Sequence, residues 1–280
     1  MENLSERKEQ LFRASPIYLI PIAASILVGI LCSLLFITAN VNVGYITIMP
    51  ESPSGSAWNA IYFVVLIAVG AYFMYFLLKR KIRFGIRLLI GIAISIVTFT
   101  LSFLYFESIF VIVGFEANLW LLLVISIGMA AIATYFTFSE VRAAREIIVL
   151  LIGGGLGAFL GLTIPTLSAI FILLLLAVYD VVAVFYGPVG KIASHGLEDL
   201  PGIAFSFKDV HIGLGDLTFY SMLISHALIY FGGKACAFSV VGVLLGSFLA
   251  FKLLEKKGMF PGLPIPIVLG LALMFLSRLI

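Results

Sequence analysis

Residues 211–220 read HIGLGDLTFY, the opening of an apolar run that carries a carboxylate, Asp216, a few positions inside it. A second run, LLAVYDVVAVFYGP at 175–188, carries Asp180 in the same manner. Whether these runs cross a membrane decides the fold, and what two acids do inside them decides the chemistry.

Of the 280 residues, 62% are hydrophobic and 11% charged, against about 25% charged in an ordinary soluble domain. Mean hydropathy is +1.22. Apolar runs fall near 18–37, 61–78, 86–105, 119–138, 147–162, 167–185, 212–230, 235–251 and 263–279, each close to the ~20 residues that carry a helix across a hydrocarbon core. The expectation is an all-α integral membrane protein of nine transmembrane helices. Strand-like alternation is missing from the runs, which argues against a β-barrel. The polar, mixed-sign start MENLSERKEQ precedes no short apolar region with a small-residue cleavage site, so no removable signal peptide is expected.

Lysine and arginine set the expected direction, because cytoplasmic loops retain them. With the N-terminus inside, the inner segments hold Arg7, Lys8 and Arg13, then Lys79, Arg80, Lys81, Arg83 and Arg87, then Arg142 and Arg145, then Lys191 and Lys208, then Lys252, Lys256 and Lys257. Of the 17 basic residues only Lys234 and Arg278 fall outside. An odd number of spans then leaves the C-terminus extracytoplasmic. Residues 187–210 form the longest inner connection and contain Pro188, Pro201 and several glycines, dividing a six-helix part, 1–186, from a three-helix part, 211–280. Within the connection, GIAFSF can form a short strand.

Several function classes drop out. A net charge of +3 without a basic stripe gives no reason to expect nucleic acid. The two cysteines, Cys32 and Cys236, support neither a disulfide framework nor a metal cluster and are read as packing residues. His195 and His211 lack a partner at ligand spacing, and His226 lies ten residues beyond Asp216, so no metal and no cofactor is expected; His226 reads as a hydrogen-bonded interhelical residue. Gly153, Gly157 and Gly161 make two consecutive GxxxG spacings, a groove for close helix packing.

Twelve of the 14 acidic residues are read in termini, loops or interfacial flanks, Glu107 and Glu116 among them. The remaining two are Asp180 and Asp216. A carboxylate at a helix centre costs roughly 2.5 to 3.5 kcal/mol on insertion scales, so it is a candidate functional site. The sixth run descends and the seventh returns, placing both acids roughly 6 to 9 Å from the inner edge at about 1.5 Å per residue. Ala177, Ala183 and Gly213 surround them and allow close backbone approach. Two neighbouring carboxyls hold one proton between them, an acid and a base for one water. Aspartyl-type hydrolysis, a proton or ion pathway, and simple polar contacts all remain open on the pair alone. The prolines at 261, 264 and 266 argue against a regular helix start near the ninth run, leaving either free backbone beside a watery cavity or a stiff loop.

Three motifs narrow the choice. VYDVVAV at 178–184, GLGDLTFYS at 213–221 and PGLPIPIV at 261–268 stand in order on the sixth, seventh and ninth runs. Together they resemble the presenilin and signal peptide peptidase family of intramembrane aspartyl proteases, most closely the compact archaeal homologues of the presenilin branch. The resemblance covers nearly the whole chain and implies a catalytic dyad of Asp180 and Asp216. It further implies support from Tyr179, Gly213, Leu214 and Gly215, the glycines giving backbone freedom and room for substrate, and substrate positioning by Pro261, Gly262, Leu263 and Pro264. The family's Pro-Ala-Leu appears here with Gly262 in place of Ala, which leaves the local geometry open. Signal peptide peptidases lie in the membrane the other way round, so the lysine and arginine distribution favours the presenilin branch. The implied substrates are single-span transmembrane proteins or peptides in the lipid bilayer of the cell, cut near the cytoplasmic face. Nothing in the sequence demands accessory subunits, and a homo-oligomer is compatible with it. A substrate helix must unwind to expose a carbonyl, and we expect the unwound piece to add as a strand beside GIAFSF or the backbone before Pro261. The rival is a proton-coupled transporter or ion channel, against which stands the lack of an internal repeat.

Overall fold

The computed structural model describes residues 13–41, 43–116, 118–187, 202, 204–207, 210–257 and 260–279. Among them, a 3-10 turn at Pro16–Leu19 leads into α1 (Ile20–Thr38), followed by α2 (Pro53–Lys79), α3 (Arg83–Val113), α4 (Leu119–Thr137), α5 (Arg142–Thr163) and α6 (Thr166–Phe185). A two-stranded antiparallel hairpin, β1 (Ala204–Phe207) and β2 (Val210–Gly213), then feeds directly into α7 (Leu214–His226), α8 (Gly233–Lys257) and α9 (Pro264–Leu276). Seven of the described helices are long and apolar enough to cross a membrane. Helix α7 continues through a π turn at Ala227–Phe231, and α9 has 13 residues.

Helix ends are set by polar caps outside the apolar runs. Ser52 accepts from the Gly55 N–H to start α2, Asn118 accepts from the Trp120 N–H to start α4, and Gly114 closes α3 at φ 73°. These caps make α2 and α3 longer than their apolar runs, so Glu107 lies on α3 rather than beyond it. Glu146, in the flank before the fifth apolar run, is buried on α5, with Arg142 Nε 3.8 Å from its Oε1.

Two further expectations are corrected. The run from 212 does not begin as a helix: residues 210–213 pair with β1, Phe205 against Ile212 and Phe207 against Val210, and the helix starts at Leu214. Nor do the prolines prevent a helix start. Pro264 occupies the first position of α9 and Pro266 the third, where N–H groups have no intrahelical acceptor in any case. Most of 187–210, including Pro188, His195 and Pro201, lies outside the described residues. The hydrophobic core nonetheless runs across that boundary, joining Ile22, Val149 and Ile172 to Leu217, Met222 and Ile267.

Glycine makes the centre of the bundle possible. A methyl group on Gly157 would lie 2.5 Å from Ser221 Cβ and 2.6 Å from Thr218 O, and one on Gly161 would lie 2.9 Å from His226 N, so this face of α5 receives the α7 backbone. Gly154, on the adjacent face, would meet the Ser25 carbonyl of α1 at 2.5 Å. The GxxxG groove is thus filled from within the chain. A second small-residue seam, Gly242 and Gly246 on α8, presses against Leu269 O and Pro266 of α9 at 2.6 and 2.5 Å by the same measure. Hydroxyls reinforce the first seam, Ser221 and Ser225 donating to the Ser25 and Gly29 carbonyls at 3.2 and 3.3 Å.

Far from the hairpin, polar side chains fasten the other end. Glu51 accepts the Leu167 N–H at the start of α6, Asn59 donates to Met49 O and to Ser168 Oγ, and Tyr230 donates to Leu162 O. His226 reaches Gly161 O and Thr166 Oγ1 at 2.8 and 3.1 Å, the interhelical bonding read from sequence. Because the atoms facing Gly157 are backbone and Cβ, Gly157→Ala is expected to lower stability by ~1–3 kcal/mol. Gly128→Ala on α4, with open space around it, is expected to change stability by less than ~1 kcal/mol. Thermal unfolding of the two variants in detergent measures the difference.

Candidate active site

Asp216 is the third residue of α7, and this position explains how the helix end accommodates a carboxylate. The N-cap is Gly213, with extended φ −63° and ψ 142°. The Asp216 carboxylate reaches back to the Gly213 N–H, as the third-position acid does in a capping box. The unsatisfied N–H groups of the first turn also present a partial positive charge to it. Asp180 lies one turn and a half before the end of α6, and its Oδ2 accepts the Leu263 N–H at 2.9 Å. The Gly262 N–H contributes to the same carboxyl.

The two acids come together through the segment that precedes α9. Helix α7 packs mainly against α5 and α1, and α6 mainly against α2 and α9. Residues 262–263 bridge the remaining gap. Leu263 bonds Asp180, while a methyl group on Gly262 would lie 2.7 Å from Asp216 Oδ2 and 3.1 Å from its Cγ. The carboxyls are close enough to interact electrostatically. Pro261 and Leu263 are buried and Pro264 opens α9, so the segment is anchored on both sides.

The other residues of the motifs are placed as follows. Tyr179 is half-buried beside Asp180 and interacts with it electrostatically. Leu214 packs against both hydrophobic clusters, joining the start of α7 to α5 and α3. Gly213 and Gly215 do not have positive φ, and a methyl group on either would meet nothing closer than 3.7 Å. Neither position needs unusual backbone geometry, and neither is among the residues that line the cavity beside Asp216. That cavity, of about 80 Å³, is lined by Asp216, Tyr220, Gly262, Ser247 and residues 210–212 of β2, and is large enough for water. Asp180 and Tyr179 are not part of its lining.

Sequence reasoning missed Tyr220. It is buried one turn beyond Asp216 on the same face of α7, and its hydroxyl donates to Gly262 O at 2.8 Å. The i, i+4 spacing from Asp216 was the available signal. Among the described residues no three His, Cys, Asp or Glu side chains converge as metal ligands. The arrangement offers two carboxyls, directed backbone donors and an adjacent cavity, the parts needed for acid–base chemistry on a carbonyl.

Comparison with known proteins assigns the family. The model described as "Signal-peptide peptidase, presenilin aspartyl protease" matches residues 22–193, more than half of the chain, and the Presenilin model matches residues 193–280. The chain belongs to this presenilin and signal-peptide peptidase family of aspartyl proteases. Presenilin-B of Dictyostelium discoideum is 33% identical over 128 residues, 41% of this chain; the match spans only 26% of that protein's length. Two solved structures of a presenilin family intramembrane aspartate protease share the fold at TM-scores of 0.66 and 0.64 and 17% identity, each over 93% of this chain and over 98% and 95% of theirs.

Gly262 is the site's departure from the family motif, and the geometry defines its consequence. A methyl group there meets the tip of a short side chain, so Asp216 turns aside while the helices keep their places. Gly262→Ala is therefore expected to shift stability by less than ~1 kcal/mol. Cleavage of a single-span peptide should fall by about tenfold or more, because displacing a reacting group by a fraction of an ångström costs rate steeply. Thermal unfolding and initial cleavage rates, measured on one preparation, test both halves.

Proposed function

We propose that this chain is an intramembrane aspartyl endopeptidase in which Asp180 and Asp216 hydrolyse peptide bonds of transmembrane segments. The observation that carries the reading is that carboxyls from two different helices meet on one peptide unit, residues 262–263. One carboxylate takes a proton from water as the oxygen attacks the substrate carbonyl, and the protonated partner donates to the carbonyl oxygen. The neutral gem-diol intermediate then loses its C–N bond: the carboxyl that took the water proton passes it to the departing amine, and its partner takes a proton back from the diol hydroxyl as the carbonyl re-forms, so both carboxyls return to their starting states. No covalent intermediate on the enzyme is required.

Substrate comes from the bilayer. Nine transmembrane helices, with α7 completed by its π turn and α9 as a short final span, are the reading that the alternation of lysine- and arginine-rich connections supports. With the N-terminus inside, 15 of the 17 basic residues face the cytoplasm, which sets the dyad near the cytoplasmic face and the C-terminus outside. The 187–210 connection then belongs to the cytoplasmic side and divides the Asp180 part from the Asp216 part.

Strand addition supplies the substrate's backbone partners. Once unwound, a transmembrane segment has unpaired N–H and C=O groups that lipid cannot satisfy. The β1–β2 hairpin is a two-stranded sheet among the described residues, so β2 is an edge strand, and it ends at Gly213, three residues before Asp216. A substrate strand paired along that edge is led to the dyad with its carbonyls exposed. Deleting 203–207 removes β1, and the expected result is loss of cleavage in a protein that still inserts and unfolds cooperatively; retained cleavage excludes the hairpin as substrate guide.

Asp180→Asn and Asp216→Asn separately test the dyad. Each is expected to lower cleavage of a reconstituted single-span peptide by at least about 10³-fold with the thermal midpoint kept. Ion flux in vesicles without peptide cleavage by the unsubstituted protein is the contrary outcome and favours a transporter.

A further inference from the structure

Peptide geometry makes the Gly262–Leu263 unit directional. A trans peptide group carries its C=O and N–H on opposite sides of one rigid plane. Here the two ends belong to different helices: the Gly262 carbonyl accepts from Tyr220 Oη of α7 at 2.8 Å, and the Leu263 N–H donates to Asp180 Oδ2 of α6 at 2.9 Å. Rotating that plane about its Cα atoms weakens both bonds at once.

Residue 262 makes such rotation easy. Glycine has no Cβ to restrict its φ and ψ, and its own Cβ position is the one that Asp216 occupies closely. The small residue that admits Asp216 therefore leaves the adjoining peptide plane without a side-chain brake. Tyr220 supplies one. Its ring is 3% exposed and fixed within the core, so its hydroxyl is held in place before substrate arrives. A hydrogen bond to the carbonyl also polarises the N–H at the other end of the same amide.

We propose that Tyr220 is a positioning residue for the dyad: by donating to Gly262 O it fixes the Gly262–Leu263 peptide plane, and through the Leu263 N–H it sets the Asp180 carboxyl against Asp216. Tyr220 acts through the peptide group and touches no substrate. The inference rests on the reading that Asp180 and Asp216 hydrolyse peptide bonds.

The test compares the unsubstituted protein, Tyr220→Phe, and a variant with 4-aminophenylalanine at position 220, which keeps a donor on the ring. Each is reconstituted with a fluorogenic single-span peptide, and kcat, KM and the thermal midpoint are measured. Phenylalanine fills the same space, so a packing role alone leaves kcat unchanged. The expected result is a kcat at least tenfold lower for Tyr220→Phe, with KM within twofold, and recovery of most of the loss with 4-aminophenylalanine. If Tyr220→Phe is too unstable to assay, the amino variant decides alone: activity within threefold of the unsubstituted protein supports the proposal, and a folded but inactive variant overturns it. A kcat for Tyr220→Phe within twofold of the unsubstituted protein, or a loss confined to KM, also overturns it. Failure of the unsubstituted protein to cleave at all sinks the underlying protease reading instead.

Discussion

The hydrogen bond from the Leu263 N–H to Asp180 is the contact on which the arrangement of the site depends. Lipid solvates a carboxylate poorly, so its partners must come from the protein. A side-chain donor on a neighbouring helix could serve, but it would bring a long, flexible group into the space between the two acids. A backbone N–H is short and fixed in direction. It is available here because the first N–H groups of a helix have no intrahelical acceptor, and the turn entering α9 leads with Gly262, Leu263 and Pro264. Both acids use this resource. Asp180 takes an N–H from the entry of α9, and Asp216 takes the Gly213 N–H at the entry of its own helix.

Directed bonds of this kind are useful only if the helices around them hold still, and glycine seams provide that rigidity. Lipid gives helices little hydrophobic reason to associate, so close backbone contact must supply the attraction. On α5, Gly153, Gly157 and Gly161 admit Leu217, Ser221 and Ser225 of α7. On α8, Gly242 and Gly246 admit the first turns of α9. One seam locates the helix that bears Asp216 and the other locates the segment that reaches Asp180. The Tyr220 hydroxyl bond to Gly262 ties the two seams together.

Much of this was legible in the sequence because membrane helices announce themselves by apolar length. The runs at 119–138 and 167–185 fall within a residue of α4 and α6. Ends were less legible where polar caps, not lipid, stop the helix: Ser52 and Gly114 extend α2 and α3 well past the apolar stretch. One strand of the hairpin was legible in GIAFSF, where β1 forms, but its partner β2 escaped because Val210 and Ile212 read equally well as the start of an apolar helix, and the choice is made by pairing with β1, a tertiary contact. Asp180, Asp216 and residues 261–264 could be singled out by charge in an apolar run and by the resemblance. The role of the Gly262 carbonyl could not, since hydrogen-bonded backbone leaves no trace in residue identity.

The bundle is also unequal from end to end. Opposite the hairpin, Glu51, Asn59, His226 and Tyr230 fasten α2, α5, α6 and α7 through side-chain bonds to backbone and hydroxyl groups. At the hairpin end the two acids are held by backbone donors instead, the Leu263 N–H reaching Asp180 at 2.9 Å, beside the cavity that Asp216 and Tyr220 line. The two ends of the same helices are thus fastened by different means, side-chain bonds at one and backbone donors at the other.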